Sequence, residues 1–399
     1  MKGRQSAAVS GERADRVLVL DGVRGLAIAL VMGVHFLGDA TATNRLERGL
    51  SWLGNQGTVG VNLFFVLSGY LITGILYDSR GSHRYYVDFY MRRFLRIFPL
   101  YYGVLALVFL ILPLIFPLPT GLRESASHQA WLWLYGTNIY EAIRGTWAFP
   151  YLSHFWSLAV EEHFYLLWPL AVRAFSRQTL LRICIVGFAF SPSLRCMLTF
   201  LGWPPVAVYV LTPCHLDALC TGGALALISR GPGSFGRIAI RAPKIAIGAV
   251  LSLFALNMWH VLTPKLEWLS VPLRWTFYAV AFGVLIALLL TKPRGAPLRS
   301  LFESKVLRLL GKYSYGLYVF HGVVAAAFLE TQLQDRLTRV LHWHLGAFLL
   351  QAALGVLLSI LMAVMSYEFF EKRFLRLKRY FESPGEPAAK KEPSIAGSF

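Results

Sequence analysis

Apolar runs of about twenty residues recur along this chain, most of them separated by short polar stretches, and no other feature limits the fold so tightly. A helix rises about 1.5 Å per residue, so roughly 20 residues cross the ~30 Å hydrocarbon core of a bilayer. Inside hydrocarbon every backbone N–H and C=O must be paired within the protein, which leaves the helix as the spanning element for runs of this length. The runs fall at 17–37, 59–77, 97–117, 156–175, 183–202, 206–228, 245–262, 273–291, 313–330 and 346–367. The expected fold is all-α, a polytopic transmembrane helical bundle of about ten spans. At 56% hydrophobic residues the composition exceeds the ~45–50% of soluble domains and agrees with that expectation.

The 399 residues carry a net charge of +18, which on a soluble chain would suggest nucleic acid as a partner. Where the charges sit excludes that reading. Of the 39 Lys and Arg residues, 29 fall in alternate connecting segments and the termini, and only 8 in the intervening loops. Positively charged segments stay in the cytoplasm, so both termini are expected there, facing the anionic lipids of the inner leaflet. The expected location is the inner (cytoplasmic) membrane, multi-pass, with membrane lipids as partners and no nucleic acid. The first run is too long for the core of a cleavable signal and lacks a small-residue cleavage site, so it is expected to remain as the first span. The chain divides into a cytoplasmic segment at 1–16, a transmembrane domain at 17–375 and a tail at 376–399, basic at first and then disordered in composition. Cys184, Cys196, Cys214 and Cys220 lie in or beside spans with no metal or redox spacing, and no metal site is expected.

Polar residues inside the apolar runs are the candidates for function. A charge at bilayer depth costs about 2.5–3.5 kcal/mol, so such groups pair, face the bundle interior or line a water-filled site. The first run carries Asp21, Arg24 and His35. Arg24 and His35 are eleven residues apart, about 16 Å along a helix and within about 20° of one face. Either the pair at one end snorkels and the histidine caps the other, or one helix presents a cation near the inner surface and an imidazole near the outer. In the second run Asn62, Ser68 and Tyr70 suit close helix packing, but Asn62 also falls at the depth of His35, where the alternative is that it orients an imidazole or an acceptor hydroxyl. Arg93 and Arg96, at i and i+3, present two guanidinium forks on one side of a helix, either to a phosphorylated cosubstrate or to lipid headgroups. The long outer loop at 118–155 is too aromatic for disorder. The fourth run brings Glu161 and Glu162 to membrane depth, flanked by His154 and His163. One of these carboxylates is expected beside His35, where it would set the tautomer and stabilise the imidazolium, unless both are buried acids satisfied by Arg or Tyr. Tyr315 and His321 recur in the ninth run, and Glu371 beside Arg373 reads as a solvated ion-pair region.

Taken in order, LDGVRGLAIALVMGVHF, GVNLFFVLSGYLIT, RRFLRIFPLYY, WSLAVEEHFYLLWP and GKYSYGLYVFH resemble the acyltransferase-3 family of integral membrane acyltransferases, over about Leu20 to Leu375. The resemblance implies transfer of an acyl group, commonly acetyl from acetyl-CoA, to a hydroxyl of a glycan or another cell-envelope or secondary-metabolite acceptor. It implies acyl-CoA as cosubstrate, no metal, and, for a chain with no room for a fused hydrolase-like domain, action alone or with a separate extracytoplasmic partner. The family's Arg-x10-His pattern falls on Arg24 and His35, and its Arg-x-x-Arg pattern on Arg93 and Arg96. By that resemblance His35, Glu161 and Glu162 are the catalytic candidates, and Arg24, Arg93 and Arg96 the acyl-CoA-binding ones. Asn62, Ser68, Tyr70, His154, Tyr315 and His321 are candidates for binding the acceptor or supporting the site. His215 stands where the family often has arginine, a departure that removes an anion-binding group there. A transporter or exporter of a glycan or small molecule is the rival reading.

Overall fold

The computed structural model describes residues 2–232, 234–263 and 267–381, and the expected disordered tail beyond Phe381 lies outside them. No strand occurs among the described residues. The principal helices are α1 (Lys2–Gly33), α2 (Arg45–Asn55), α3 (Val59–Asp78), α4 (Tyr85–Ala106), α5 (Trp156–Ala174), α6 (Arg177–Phe200), α7 (Leu216–Ser229), α8 (Ser234–Leu262), α9 (Glu267–Thr291), α10 (Ser314–Glu330) and α11 (His344–Ser366). Among the described residues seven helical stretches are long and apolar enough to cross a membrane, or eight if α10 and the Leu333–Leu341 helix, bent by 60°, form one span. This is a multi-pass membrane protein.

Two of the expected spans differ from the sequence reading for physical reasons. α5 carries Glu161, Glu162 and Arg173 and is too polar to qualify by apolarity. The run at 206–228 is broken into a helix at Pro205–Val210, a 3-10 turn at Thr212–His215 and the 14-residue α7. Pro213 lacks the N–H that would continue the first helix, so the break falls there.

Helix contact at the crossings relies on glycine, as expected where no hydrophobic force drives helices together within lipid. A Cβ on Gly69 of α3 would lie 2.0 Å from the Leu219 carbonyl oxygen, and one on Gly222 of α7 would lie 1.9 Å from that of Val66. Gly25 of α1 meets the Leu307 carbonyl oxygen at 1.9 Å in the same sense, so the backbone that carries Arg24 is held against the Lys305–Lys312 helix. A buried ion pair fixes the second half of the bundle. Arg195 Nη2 on α6 lies 2.6 Å from Asp217 Oδ2 on α7, and Thr276 Oγ1 on α9 donates to the same oxygen at 2.7 Å.

Apolar packing forms two large clusters. One is built on α3, α5 and α7, and the other on the outer half of α1, α4, the outer loop and α10. Val61, Phe64, Phe98 and Tyr315 pack against both, and along this seam the bundle opens into cavities.

Candidate active site

Five helices send polar side chains into an inner cavity of about 110 Å³. Arg24 comes from α1, Ser68 from α3, Arg93 and Arg96 from α4, and Tyr315 from α10. From α5 come Ser157, Leu158, Glu161, Glu162 and Tyr165, the i, i+1, i+4, i+5, i+8 stripe of a single helix face. That stripe is how two adjacent glutamates, about 100° apart, both reach one cavity.

The cationic end of this cavity is fixed from several sides. Arg24 Nη1 bonds Asp21 Oδ1 at 2.9 Å, one turn back on the same helix. The Arg93 guanidinium lies 4.4 Å from the centre of the Tyr165 ring, and that of Arg96 lies 5.9 Å from the Tyr315 ring. Cation–π contact orients a guanidinium without consuming its N–H donors. Arg93 Nε is buried and finds no hydrogen-bond partner among the described residues, so a donor stands ready for an anionic ligand. Ser68 Oγ donates to Glu161 Oε1 and lies 3.0 Å from the Tyr165 hydroxyl. Tyr315 donates to the Ile97 carbonyl at 2.6 Å, which ties α10 to α4 beside the arginines.

A second, outer cavity of about 860 Å³ opens on the other side of the seam. His35, Asp39, His154, Trp147, Trp156 and Tyr151 are among its lining residues. Val61 and Tyr318 line both cavities, so the two meet at these side chains. Tyr318 is held there by its bond to the His154 carbonyl at 2.9 Å and by Ser157.

His35 stands in a π turn, Val34–Gly38, that continues α1. Such turns are rare insertions that recur at functional sites. Its Nδ1 lies 3.0 Å from the Val31 carbonyl oxygen, an acceptor that requires Nδ1–H and so leaves the Nε2 lone pair free. The His35 ring meets that of His321 edge-on with centroids 4.8 Å apart, and His321 meets His154 at 5.0 Å. His321 is fully buried, with Nδ1 3.1 Å from the Leu317 carbonyl and Nε2 without a partner among the described residues. His154 donates through Nε2 to the Val319 carbonyl at 3.1 Å.

The structure corrects several expectations about these residues. Neither glutamate stands beside His35: both line the inner cavity with the arginines, and among the described residues no hydrogen bond joins either to the imidazole. The carboxyl that shares the cavity with His35 is that of Asp39, just past the π turn, which the reading by depth overlooked although its i, i+4 spacing is visible. Asn62 does not orient His35 but donates to the Trp275 carbonyl at 3.1 Å. Tyr70 is engaged with Arg230, which also grips Asp78. Glu371 is buried and accepts from Ser366, while Glu368 takes the ion pair, with Lys372. His215 is buried against Phe65 and Trp156 with Nε2 on the Tyr209 carbonyl, a packing role. Ser68 and Tyr315 line the inner cavity and His154 the outer one, while His321 lines neither and is buried between His35 and His154. Tyr165, Ser157 and Tyr318 were not anticipated, although they repeat at i, i+4 with Glu161 and at i+3 from Tyr315.

The outer loop folds into three short helices, Thr120–Ser127, Ala130–Trp133 and Thr137–Arg144, and its later residues Trp147, Pro150, Tyr151, Ser153 and His154 line the outer cavity. Tyr101 and Tyr102 of α4 anchor it by donating to the Leu132 and Trp133 carbonyls at 2.7 and 3.1 Å. Tyr151 takes a left-handed conformation, φ 73°, and donates to Glu330 Oε2 at 2.7 Å. Such backbone costs of order 1 kcal/mol, and here it turns an aromatic ring into the cavity wall.

Fold and site together define a polytopic membrane protein whose bundle joins a cationic pocket at one depth to an imidazole-lined cavity at the other. The sequence profile described as "Acyltransferase domain" matches residues 17–368, and the chain belongs to the acyltransferase-3 family. Peptidoglycan O-acetyltransferase OatA of Listeria monocytogenes is 27% identical over 370 residues, covering 88% of this chain and 54% of that protein. O-acetyltransferase OatA of Staphylococcus aureus is 25% identical over 370 residues, covering 88% of this chain and 56% of that protein. The chain thus spans just over half the length of these relatives. No solved structure matches it at a significant level. Among the described residues no group of His, Cys, Asp and Glu is arranged to hold a metal ion.

Proposed function

We propose that this protein is a membrane O-acyltransferase that moves an acyl group, acetyl in the simplest case, from acyl-CoA on the cytoplasmic side to a hydroxyl of a cell-wall glycan on the outer side. One observation carries the reading: the arginine-lined and histidine-lined cavities meet at Val61 and Tyr318, so a donor held at one end and an acceptor held at the other reach a common point.

In this reading Arg24, Arg93 and Arg96 bind the phosphates of CoA, the unpartnered Arg93 Nε supplying a donor that an anion would satisfy. The acyl arm passes along the α5 face toward the junction. The acceptor hydroxyl gives its proton to His35 Nε2 as its oxygen attacks the thioester carbonyl; the C–S bond breaks, and the CoA thiolate leaves with the proton returned by the imidazolium, so His35 ends neutral. Val31 fixes the tautomer that makes Nε2 the base, and Asp39 stabilises the imidazolium. General base assistance is typically worth about 10²–10⁴-fold. Glu161 and Glu162 balance the arginine charge and shape the acyl passage. Trp147, Tyr151 and Trp156 offer aromatic faces to sugar rings in the outer cavity. The names of the relatives, peptidoglycan O-acetyltransferase and O-acetyltransferase, support a glycan acceptor and acetyl as the group.

Purified protein in sealed proteoliposomes, given radiolabelled acetyl-CoA on one side and peptidoglycan fragments on the other, tests this directly. The expected result is labelled glycan only when the donor is on the cytoplasmic face. Movement of glycan across the membrane with no thioester cleavage would establish the transporter instead.

A further inference from the structure

Beyond α11 the chain runs through a π turn at Tyr367–Glu371 and a short helix at Lys372–Arg376 to a last 3-10 turn at Leu377–Phe381, and these elements fold back against α4. A lysine in such a terminal turn is ordinarily solvated, because burial of an ammonium without a counter-charge costs several kcal/mol. Lys378 is nevertheless only 3% exposed, and its Nζ has no hydrogen-bond partner among the described residues. The charges that act on it most strongly are all positive: Arg96, Arg93, Arg92 and Arg24, in that order. The carboxylates on the elements that meet here face the arginines rather than Lys378: Asp21 pairs with Arg24, Glu371 accepts from Ser366 and lies against Arg96, Glu161 and Glu162 lie against Arg93, and Asp88 pairs with Arg84. A buried lysine with cations for neighbours either gives up its proton or is completed by an anion, and three of those arginines line the inner cavity.

We propose that Lys378 is a further phosphate-binding residue of the inner site, and that the segment 372–381 closes the cytoplasmic mouth of that site over the phosphate groups of the donor nucleotide. This rests on the donor reading above. A lipid headgroup phosphate has the same chemistry, so the test separates the two sources.

Full-length protein in nanodiscs of purely zwitterionic phosphatidylcholine is titrated calorimetrically with adenosine 3′,5′-bisphosphate and with acetyl-CoA, for the wild type, Lys378→Met and Lys378→Arg. The expected result is a loss of about tenfold or more in affinity for both ligands in Lys378→Met, since a lost charged hydrogen bond is worth that much. Lys378→Arg should stay within a few-fold of wild type. The unliganded Lys378→Met protein should melt at the same temperature as wild type or higher, because a buried unpaired charge has been removed. A merely structural lysine would give the reverse, a lower melting temperature with unchanged nucleotide affinity, and that outcome overturns the proposal. So does nucleotide binding by wild type that Lys378→Met leaves intact. If wild type binds neither nucleotide nor acetyl-CoA in neutral lipid but is stabilised by phosphatidylglycerol through Lys378, the phosphate is a lipid's and the nucleotide proposal falls. Wild type that ignores every phosphate ligand sinks the donor reading itself.

Discussion

Replacing Asp217 by Leu isolates what the buried ion pair contributes to the scaffold. Arg195 and Asp217 are 2% and 0% exposed and lie 2.6 Å apart. Arg195 also donates from Nε to the Pro272 carbonyl at 3.1 Å and through Nη1 to the Cys214 carbonyl, while Thr276 bridges both members of the pair at 2.7 Å. Removing the carboxylate leaves a guanidinium buried and uncompensated, a loss of about 3–5 kcal/mol. Replacing both partners, Asp217→Leu with Arg195→Met, removes the stranded charge, and such exchanges are often neutral or stabilising by about 1–4 kcal/mol. The double variant should therefore recover most of the loss, with a coupling energy of about 2 kcal/mol or more. Denaturation in mixed detergent micelles, followed by tryptophan fluorescence for the wild type, both single variants and the double, closes the cycle. A double variant as unstable as the sum of the two singles would refute the reasoning and assign the stability to the separate carbonyl contacts.

Three further outcomes follow from the structure. Gly69→Ala places a methyl 2.0 Å from the Leu219 carbonyl oxygen, so overpacking of about 1–3 kcal/mol should lower the melting temperature, whereas Gly49→Ala on α2, with open space around it, should be neutral or slightly stabilising. Burial pushes the Glu141 carboxyl in the outer loop up to about 8 from its ordinary 4.5. Its proton is held more tightly folded than unfolded, so this stability is complete below about pH 4.5 and declines toward pH 8 by at most about 1.4 kcal/mol per unit; melting curves at four pH values should lose that slope in Glu141→Gln. Arg93→Ala should weaken acetyl-CoA binding about tenfold or more in a direct titration, and unchanged affinity would return this arginine to a structural role on the Tyr165 ring.

The helical bundle was legible because bilayer thickness and backbone pairing leave little freedom: apolar length located most of the long helices, although α5 is too polar to qualify and the run at 206–228 is broken. Sequence could also place Arg24 and Arg93 at one depth and His35 at another, since rise per residue converts spacing into distance. Depth is one coordinate, however, and the site needs the other two. Glu161 lies close enough in sequence position to the outer end of α5 to be assigned to His35, yet the rotation of α5 directs its face toward Arg93 and Ser68 instead. No periodicity announces the π turn at Val34–Gly38, whereas the break before α7 carries its signal in Pro213, which a reading by apolar length passes over. Lys378 shows the same limit from the other side: composition assigned it to a solvated basic tail, and only the fold-back of the terminal turn onto α4 reveals it as buried.

The central claim is that a donor end and an acceptor end share one route, with His35 as the base at the junction. The most direct measurement compares His35→Gln with wild type in nanodiscs, following acetyl transfer from labelled acetyl-CoA to glycan fragments and, in the same preparation, equilibrium binding of acetyl-CoA. The account predicts transfer reduced by about 10²–10⁴-fold with donor affinity unchanged. Full transfer by His35→Gln would contradict it.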